Sequence, residues 1–317
     1  MTRAASVRAL AKINLDLRVL ERRPDGYHEI RTVFQTISLA DRLEIAFTPA
    51  RRTSVAIEGP AIPDNLAERA AHAALAAMKS TAAVRLRLTK RIPMGAGLGG
   101  GSSDAAAVLL ALPVLAGRPL APATLLEIAS ELGSDVPFFL LGGAAAAIGR
   151  GTELFPLPDG PNLPGVLVTP EIHVSTAQAY LALGARLTSD SKQNKLVSFQ
   201  SALWGGVCLD GRNDFEEAVF RQYPELVALK RRLEQSGARQ ALMSGSGSSV
   251  FGLFLTRAEA SRALRTLGEE RAVAISLVNR ARYRRMWRRQ LAAHLDDQAG
   301  DPLWPPLSRY APTRPKR

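Results

Sequence analysis

Cysteine is almost absent. Cys208 is the single one in 317 residues, so no intramolecular disulfide can form, and the simplest setting is a reducing, cytoplasmic one. Histidine is scarce as well; four scattered imidazoles and one thiol leave no zinc-ligand spacing. Long apolar runs are missing. The uncharged stretches 105–117 and 136–149 fall short of the ~20 residues a membrane-spanning helix needs, and both contain Pro or Gly. The opening MTRAASVRALAKINLDL has basic residues but no apolar centre and no cleavage site, so it does not read as a signal peptide. No repeat of fixed period is present. These absences exclude a disulfide scaffold, a zinc module and a membrane partner.

What is present is a globular composition, 46% hydrophobic and 22% charged, with a net charge of +12. Residues 282–317 hold nine Lys or Arg against three Asp, so half of the excess sits at the C-terminal end. The rest is mildly basic, which suits anionic small molecules.

Residues 7–19 alternate: Val7, Ala9, Ala11, Ile13, Leu15, Leu17 and Val19 on one face, Arg8, Lys12, Asn14, Asp16 and Arg18 on the other. A period of two predicts a strand with one buried face. ERRPDG follows as a turn, and strands are expected at 30–39, 42–47, 53–58 and 84–89. Helices are expected at 64–79, with Asp64 as N-cap, from about Ser103, and at 121–133, stopped by Gly133. FPLPDGPNLPG (155–165) marks a domain boundary. Beyond it we expect a strand at 165–169, a helix from Ser175, a polar loop near 186–211, helices at 214–221, 224–236 and 257–268, and strands at 239–243, 250–255 and 273–279. The pattern is α+β rather than a doubly wound alternation. It divides the chain into 1–160, 161–285 and a basic Pro/Arg-rich tail, 286–317, read as extended and weakly ordered from about 290.

PMGAGLGGGSSDAAAVL (93–109) is the densest signal. Five of the seven residues from Gly95 to Gly101 are glycine. Gly95-x-Gly97-x-x-Gly100 matches a dinucleotide fingerprint, but the preceding VRLRLT carries arginines at alternate positions and no acidic residue follows some twenty positions on. A Walker A loop needs a lysine after its last glycine, and here Gly101 and Ser102 stand instead. What remains is a cradle of backbone N–H groups at a helix start, which fits phosphates; Ser102 and Ser103 add hydroxyls that could help hold magnesium. MSGSGSSVFGLF (243–254) repeats the theme, either as an ordinary hairpin loop or as a second set of donors for an anion. In LGSDVPFFLLGG, Asp135 precedes an apolar run, where an unpaired carboxylate is costly. It is either a helix N-cap or the partner of a cation, and Lys12 is the attractive one.

Four segments, 11–43, 92–109, 132–151 and 241–254, carry a resemblance to the GHMP kinases, the family of galactokinase, homoserine kinase and mevalonate kinase. DGYHEIRTVFQTI resembles the branch whose acceptor is a cytidine diphosphate-linked polyol of non-mevalonate isoprenoid synthesis. The resemblance implies a two-domain fold, with an N-terminal domain like ribosomal protein S5 domain 2 and a ferredoxin-like C-terminal GHMP domain. It implies ATP with Mg2+ as phosphoryl donor, transfer to the 2-hydroxyl of the methylerythritol moiety, and a monomer or homodimer. The family's ATP loop falls on Pro93, Met94, Gly95, Ala96, Gly97, Leu98, Gly99, Gly100, Gly101, Ser102 and Ser103, with Asn65 and Leu66 near the adenine. Its catalytic pair falls on Lys12 and Asp135, and substrate contacts on Asn14, Tyr27 and His28. Where the family varies, Tyr180 is expected as a second stacking partner, and the loop Gly245, Ser246 and Gly247 as the second set of donors for an anionic substrate. Two other readings stand beside this one: a GHMP kinase for a different alcohol, and a nucleic-acid binder suggested by NRARYRRMWRR (279–289).

Overall fold

In the computed structural model, described over residues 1–184, 199, 210–268, 270–296 and 304–311, the chain forms two sheets with helices packed against them. The first sheet comprises β1 (Arg3–Arg22), β2 (His28–Pro49), β3 (Ser54–Glu58), β4 (Ala82–Thr89), β5 (Ala144–Gly149) and β6 (Glu153–Pro156). Its order is β3-β4-β2-β5-β6, with β1 also paired to β2; β3 and β4 run parallel, the other pairs antiparallel. Against it lie α1 (Leu66–Ala77), α2 (Gly100–Ala116), α3 (Pro122–Leu132) and the single short turn α4 (Val136–Leu141). The second sheet, fully antiparallel, has the order β10-β7-β9-β8 from β7 (Pro164–Val168), β8 (Gln240–Met243), β9 (Val250–Leu253) and β10 (Ala272–Ser276). Its helices are α5 (Thr176–Gly184), α6 (Phe215–Gln222), α7 (Pro224–Gln235) and α8 (Arg257–Thr266); α9 (Arg280–Leu291) follows. Among the described residues, no helix is long and apolar enough to cross a membrane. The polar loop read at 186–211 lies outside the described residues except for 199, 210 and 211.

α2 is buried on all sides from Ser103 to Leu115 and forms the centre of the first core, as an all-apolar helix must. Among the described residues three core clusters form, and one of them joins the two sheets: Ala11, Ile13 and Leu15 of β1 pack with Leu167, Leu242, Phe251 and Leu253 of the second sheet.

That packing corrects the expectation of a one-faced β1. From Ala9 to Leu20 both faces are buried, and Lys12, Asn14, Asp16 and Arg18 are each less than 5% exposed. The polar face is covered because the segment after the polar loop crosses onto it. Leu17 N–H donates to Arg212 O, Asp214 N–H donates to Leu17 O, and the Asp16 carboxylate accepts from Arg212 N–H. Register shifts in the β1–β2 ladder fall between Leu10 and Lys12 and between Asn14 and Asp16. Bulges of this kind re-aim side chains beside a site.

Other expectations shift in instructive ways. Asn65, not Asp64, caps α1, its Oδ1 accepting from Ala67 N–H, while Asp64 takes φ +50 and pairs with Arg69. β5 is a run of alanines with little strand propensity; it forms because β2 holds one edge and β6 the other. The tail is not extended and weakly ordered over its described part. Tyr283, Trp287 and Leu291 of α9 face the first core at helical spacing, and Trp304 packs on the same core. The aromatics that suggested base stacking are therefore buried, which removes the main support for a nucleic-acid reading.

Candidate active site

A cavity of about 390 Å³ opens between the two sheets. β1 supplies Lys12 and Asn14, the first glycine loop Gly95, Gly97 and Gly99, the residue before α4 supplies Asp135, the start of α5 Ser175 and Thr176, and the second glycine loop Gly245 and Ser246.

The first loop works by alternation. Gly95, Gly97 and Gly99 have φ of +67, +77 and +68 and line the cavity. Ala96 and Leu98 between them are buried in the core shared by the two sheets. Each alternate position is therefore anchored while the intervening backbone is left bare. Glycine is required at two of them for contact as well as conformation. A Cβ on Gly97 would lie 2.0 Å from Ser244 O, and one on Gly99 would lie 2.9 Å from the Phe139 ring. The two loops hold each other: Ser244 Oγ donates to Gly97 O at 2.9 Å, and Ser249 N–H donates to Ala96 O. Asn213 steadies the second loop by donating from Nδ2 to Met243 O and Gly245 O. The motif 243–254 is thus both a cavity wall and the support of the first loop.

The stems of the first loop are fixed by a buried charge cluster. Asp41 of β2 accepts from Arg91 and Ile92 N–H on the entering side. Lys90 bridges Asp41 to Asp104 on the first turns of α2. Burial pushes the Asp104 carboxyl up to about 7, with the Asp41 charge adding to the rise and Lys90 opposing it. Its Oδ1 has no hydrogen-bond partner among the described residues.

Lys12 and Asp135 meet. Lys12 Nζ lies 3.5 Å from Asp135 Oδ2 and donates to Asn14 Oδ1 at 2.8 Å. Asn14 Nδ2 donates in turn to Thr32 Oγ1, and Thr32 donates to Asp16 O. Asp135 precedes α4 but its side chain makes no capping bond, so the cap alternative is not what holds it. One side of the cavity is aromatic. Tyr180 stacks on His28 with centroids 4.5 Å apart and meets Phe215 edge-on. Burial, and secondarily the Asp135 charge, pushes the Tyr180 phenol up to about 12. Burial and nearby Arg22 hold the His28 imidazole below its usual value.

Not every expected residue reaches the cavity. Tyr27 is half exposed with the Arg150 guanidinium 3.6 Å over its ring, and His28 connects only through Tyr180. Asn65 and Leu66 sit beside the trailing end of the loop, Leu66 being 3.9 Å from where a Gly101 Cβ would be. Ser103 is corrected as a hydroxyl for a bound ion: its Oγ donates to Leu10 O and is buried. His173 and Phe215 line the cavity without any sequence signal, Phe34 lies within DGYHEIRTVFQTI without being singled out there, and Ser175 and Thr176 open a helix in VSTAQAY and were findable as a cap pattern.

Two sheets joined through β1, with two glycine loops packed against each other at the cavity, define a GHMP-type small-molecule kinase. Residues 65–143 match the family model for the GHMP kinases N terminal domain, and residues 204–272 that for GHMP kinases C terminal. A 4-diphosphocytidyl-2-C-methyl-D-erythritol kinase of Solibacter usitatus is 59% identical, covering 98% of this chain and 99% of the relative. One of Pelotomaculum thermopropionicum is 45% identical over 77% of this chain and 87% of its own. A crystal structure of 4-(cytidine 5'-diphospho)-2C-methyl-D-erythritol kinase superposes with a TM-score of 0.72 at 41% identity, covering 87% of this chain and 99% of that one. Homoserine kinase of Cytophaga hutchinsonii shares the fold, with a TM-score of 0.67 at 18% identity over 87% of this chain and 95% of its own. The chain belongs to the 4-diphosphocytidyl-2-C-methyl-D-erythritol kinase family.

The loop geometry predicts an asymmetry between glycines. Gly97→Ala should lower the melting temperature and raise the KM for ATP at least about tenfold, because both its φ and its contact with Ser244 are broken. Gly101→Ala, which meets nothing closer than 3.9 Å, should leave the melting temperature unchanged and the KM for ATP within about twofold of wild type. Equal effects would contradict the alternation.

The charge cluster predicts a pH effect. A carboxyl whose folded pKa lies above its unfolded one binds more protons in the native state, so stability falls as pH rises from the ordinary carboxylate range through about 7. Asp104→Asn removes that titration and should flatten the fall. Urea unfolding midpoints of both proteins at several pH values between these limits check it; parallel curves would be the contrary result.

Proposed function

We infer that this chain is the ATP-dependent kinase that phosphorylates the 2-hydroxyl of 4-diphosphocytidyl-2-C-methyl-D-erythritol. The observation that carries the reading is the Lys12–Asp135 pair at 3.5 Å on the wall of a cavity flanked by both glycine loops. Phosphoryl transfer asks little covalent chemistry of the protein; it asks for alignment of three groups and compensation of charge.

The bare backbone at Gly95, Gly97 and Gly99 fits phosphate oxygens, since nothing projects from it into the cavity. ATP would lie along this loop with its adenine toward Asn65 and Leu66. Among the described residues no group of three or more His, Cys, Asp or Glu could hold a metal. Mg2+ would therefore come with the nucleotide, ligated mostly by phosphate oxygens and water. Asp135 orients the acceptor hydroxyl and takes its proton as the new P–O bond forms and the bond to the ADP oxygen breaks. Lys12 offsets charge on the phosphoryl oxygens in passage. Asn14 holds Lys12 in place and contacts the acceptor. Gly245, Ser246 and Gly247 face its diphosphate, and Tyr180, with His28 stacked on it, recognises the cytosine by stacking and edge hydrogen bonds, Tyr27 adding a contact from outside the cavity. A cytoplasmic location, with the chain as a monomer or homodimer, completes the reading; the single cysteine supports the compartment.

Purified protein with ATP, Mg2+ and the cytidine diphospho-alcohol should yield ADP and a phosphorylated product. Asp135→Ala should lower kcat by about 10²- to 10⁴-fold with ATP still bound. Tyr180→Ala should raise the KM of the cytidine substrate about tenfold or more and leave the KM of ATP within about twofold. Full activity of Asp135→Ala would end the assignment of that residue.

A further inference from the structure

α4 is six residues long and begins immediately after Asp135. A helix that short does not hold itself in water, and its last carbonyls need partners from elsewhere. Those partners are specific. Gly142 N–H donates to Phe138 O at 2.8 Å. The Tyr283 hydroxyl of α9 donates to Phe139 O. Trp304 Nε1 donates to Leu140 O at 2.8 Å. Two of the three come from the C-terminal region, outside the four segments 11–43, 92–109, 132–151 and 241–254.

The segment carrying Trp304 is itself tied down. Ser308 Oγ donates to Val114 O on α2 at 2.6 Å, and Arg309 N–H donates to His294 O. The Arg3 guanidinium lies 3.8 Å over the Tyr310 ring. Trp304 packs against Tyr283 with centroids 6.2 Å apart, and the Arg284 guanidinium lies over its ring. Asp135, by contrast, has little of its own: among the described residues its carboxylate has the Lys12 contact and no hydrogen bond. Its place in the cavity is therefore set by the helix behind it.

We propose that Trp304 is a positioning residue for phosphoryl transfer: by holding the far end of α4, the C-terminal strap fixes the direction in which Asp135 faces the acceptor. This rests on the reading of Asp135 given above. The described residues of the strap, 304–311, make no hydrogen bond to either glycine loop, so its loss alters the transfer step rather than the binding of either substrate.

Trp304→Phe keeps an aromatic ring but removes the N–H donor along with part of the indole's packing surface; Ser308→Ala loosens the same strap at α2, away from α4. Trp304→Phe should lower kcat about fivefold, with both KM values within about twofold, the size expected for one lost hydrogen bond felt at the reacting centre. It should also speed amide hydrogen exchange across 136–142. Ser308→Ala, one step further from α4, should lower the melting temperature and shift kcat and exchange at 136–142 in the same direction as Trp304→Phe but by less. A larger loss of kcat in Ser308→Ala than in Trp304→Phe, or unchanged kcat and exchange in Trp304→Phe, would overturn the proposal. Absence of turnover in the wild-type protein would instead remove the functional reading; the exchange comparison would then decide whether the strap governs α4, with unchanged exchange overturning it.

Discussion

The structure depends on taking the polar face of β1 out of water. Lys12, Asn14, Asp16 and Arg18 lie in a row on one strand, each less than 5% exposed. Burying unpaired charges there would cost several kcal/mol apiece, about the whole stability margin of a domain. Each has a partner, Arg18 through Asp16 on the same strand and the others also from outside it. Asp16 takes Arg18 and the backbone N–H of Arg212, Asn14 takes Thr32, and Lys12 takes Asn14 and Asp135. Desolvation pushes the Asp16 carboxyl up despite those partners. The need to compensate this face brings the second sheet, the residue ahead of α4 and β2 to one place, and the cavity lies where they meet.

The glycine loops obey the same logic in backbone terms. A cradle of bare N–H groups is useful only if it is stiff, and glycine makes it the opposite of stiff. Stiffness is returned by Ala96 and Leu98 seated in the core, by the Asp41–Lys90–Asp104 cluster at the stems, and by Ser244 from the second loop. The first loop is thus held in shape by residues from both sheets, and the second glycine motif is half of that support.

Much of this was legible in the sequence, for identifiable reasons. Alternation in β1, the glycine density of 95–101 and a carboxylate beside VPFFLL are local signals, and each marked a segment that lines the cavity. Pairing Lys12 with Asp135 was legible only as chemistry, a buried anion in need of a cation, since 123 residues separate them. What could not be read was burial on the second face of β1, because a row of Lys, Asn, Asp and Arg has the same pattern whether it meets water or another sheet. Phe34, His173 and Phe215 reach the cavity from three elements with no shared motif. The alanine strand β5 depends on neighbours rather than propensity, and Trp304 sits in a Pro-rich stretch whose composition suggests disorder until its indole is seen on Leu140.

The central claim is that Lys12 and Asp135 act as one unit on the transferred group. A double-mutant cycle on kcat with Lys12→Met and Asp135→Asn addresses it most directly. If the pair is a unit, the double variant is no slower than the worse single variant to within about twofold, because either change already dismantles it. Losses that multiply would mean that the two residues contribute separately and that their 3.5 Å contact is not what makes the site work.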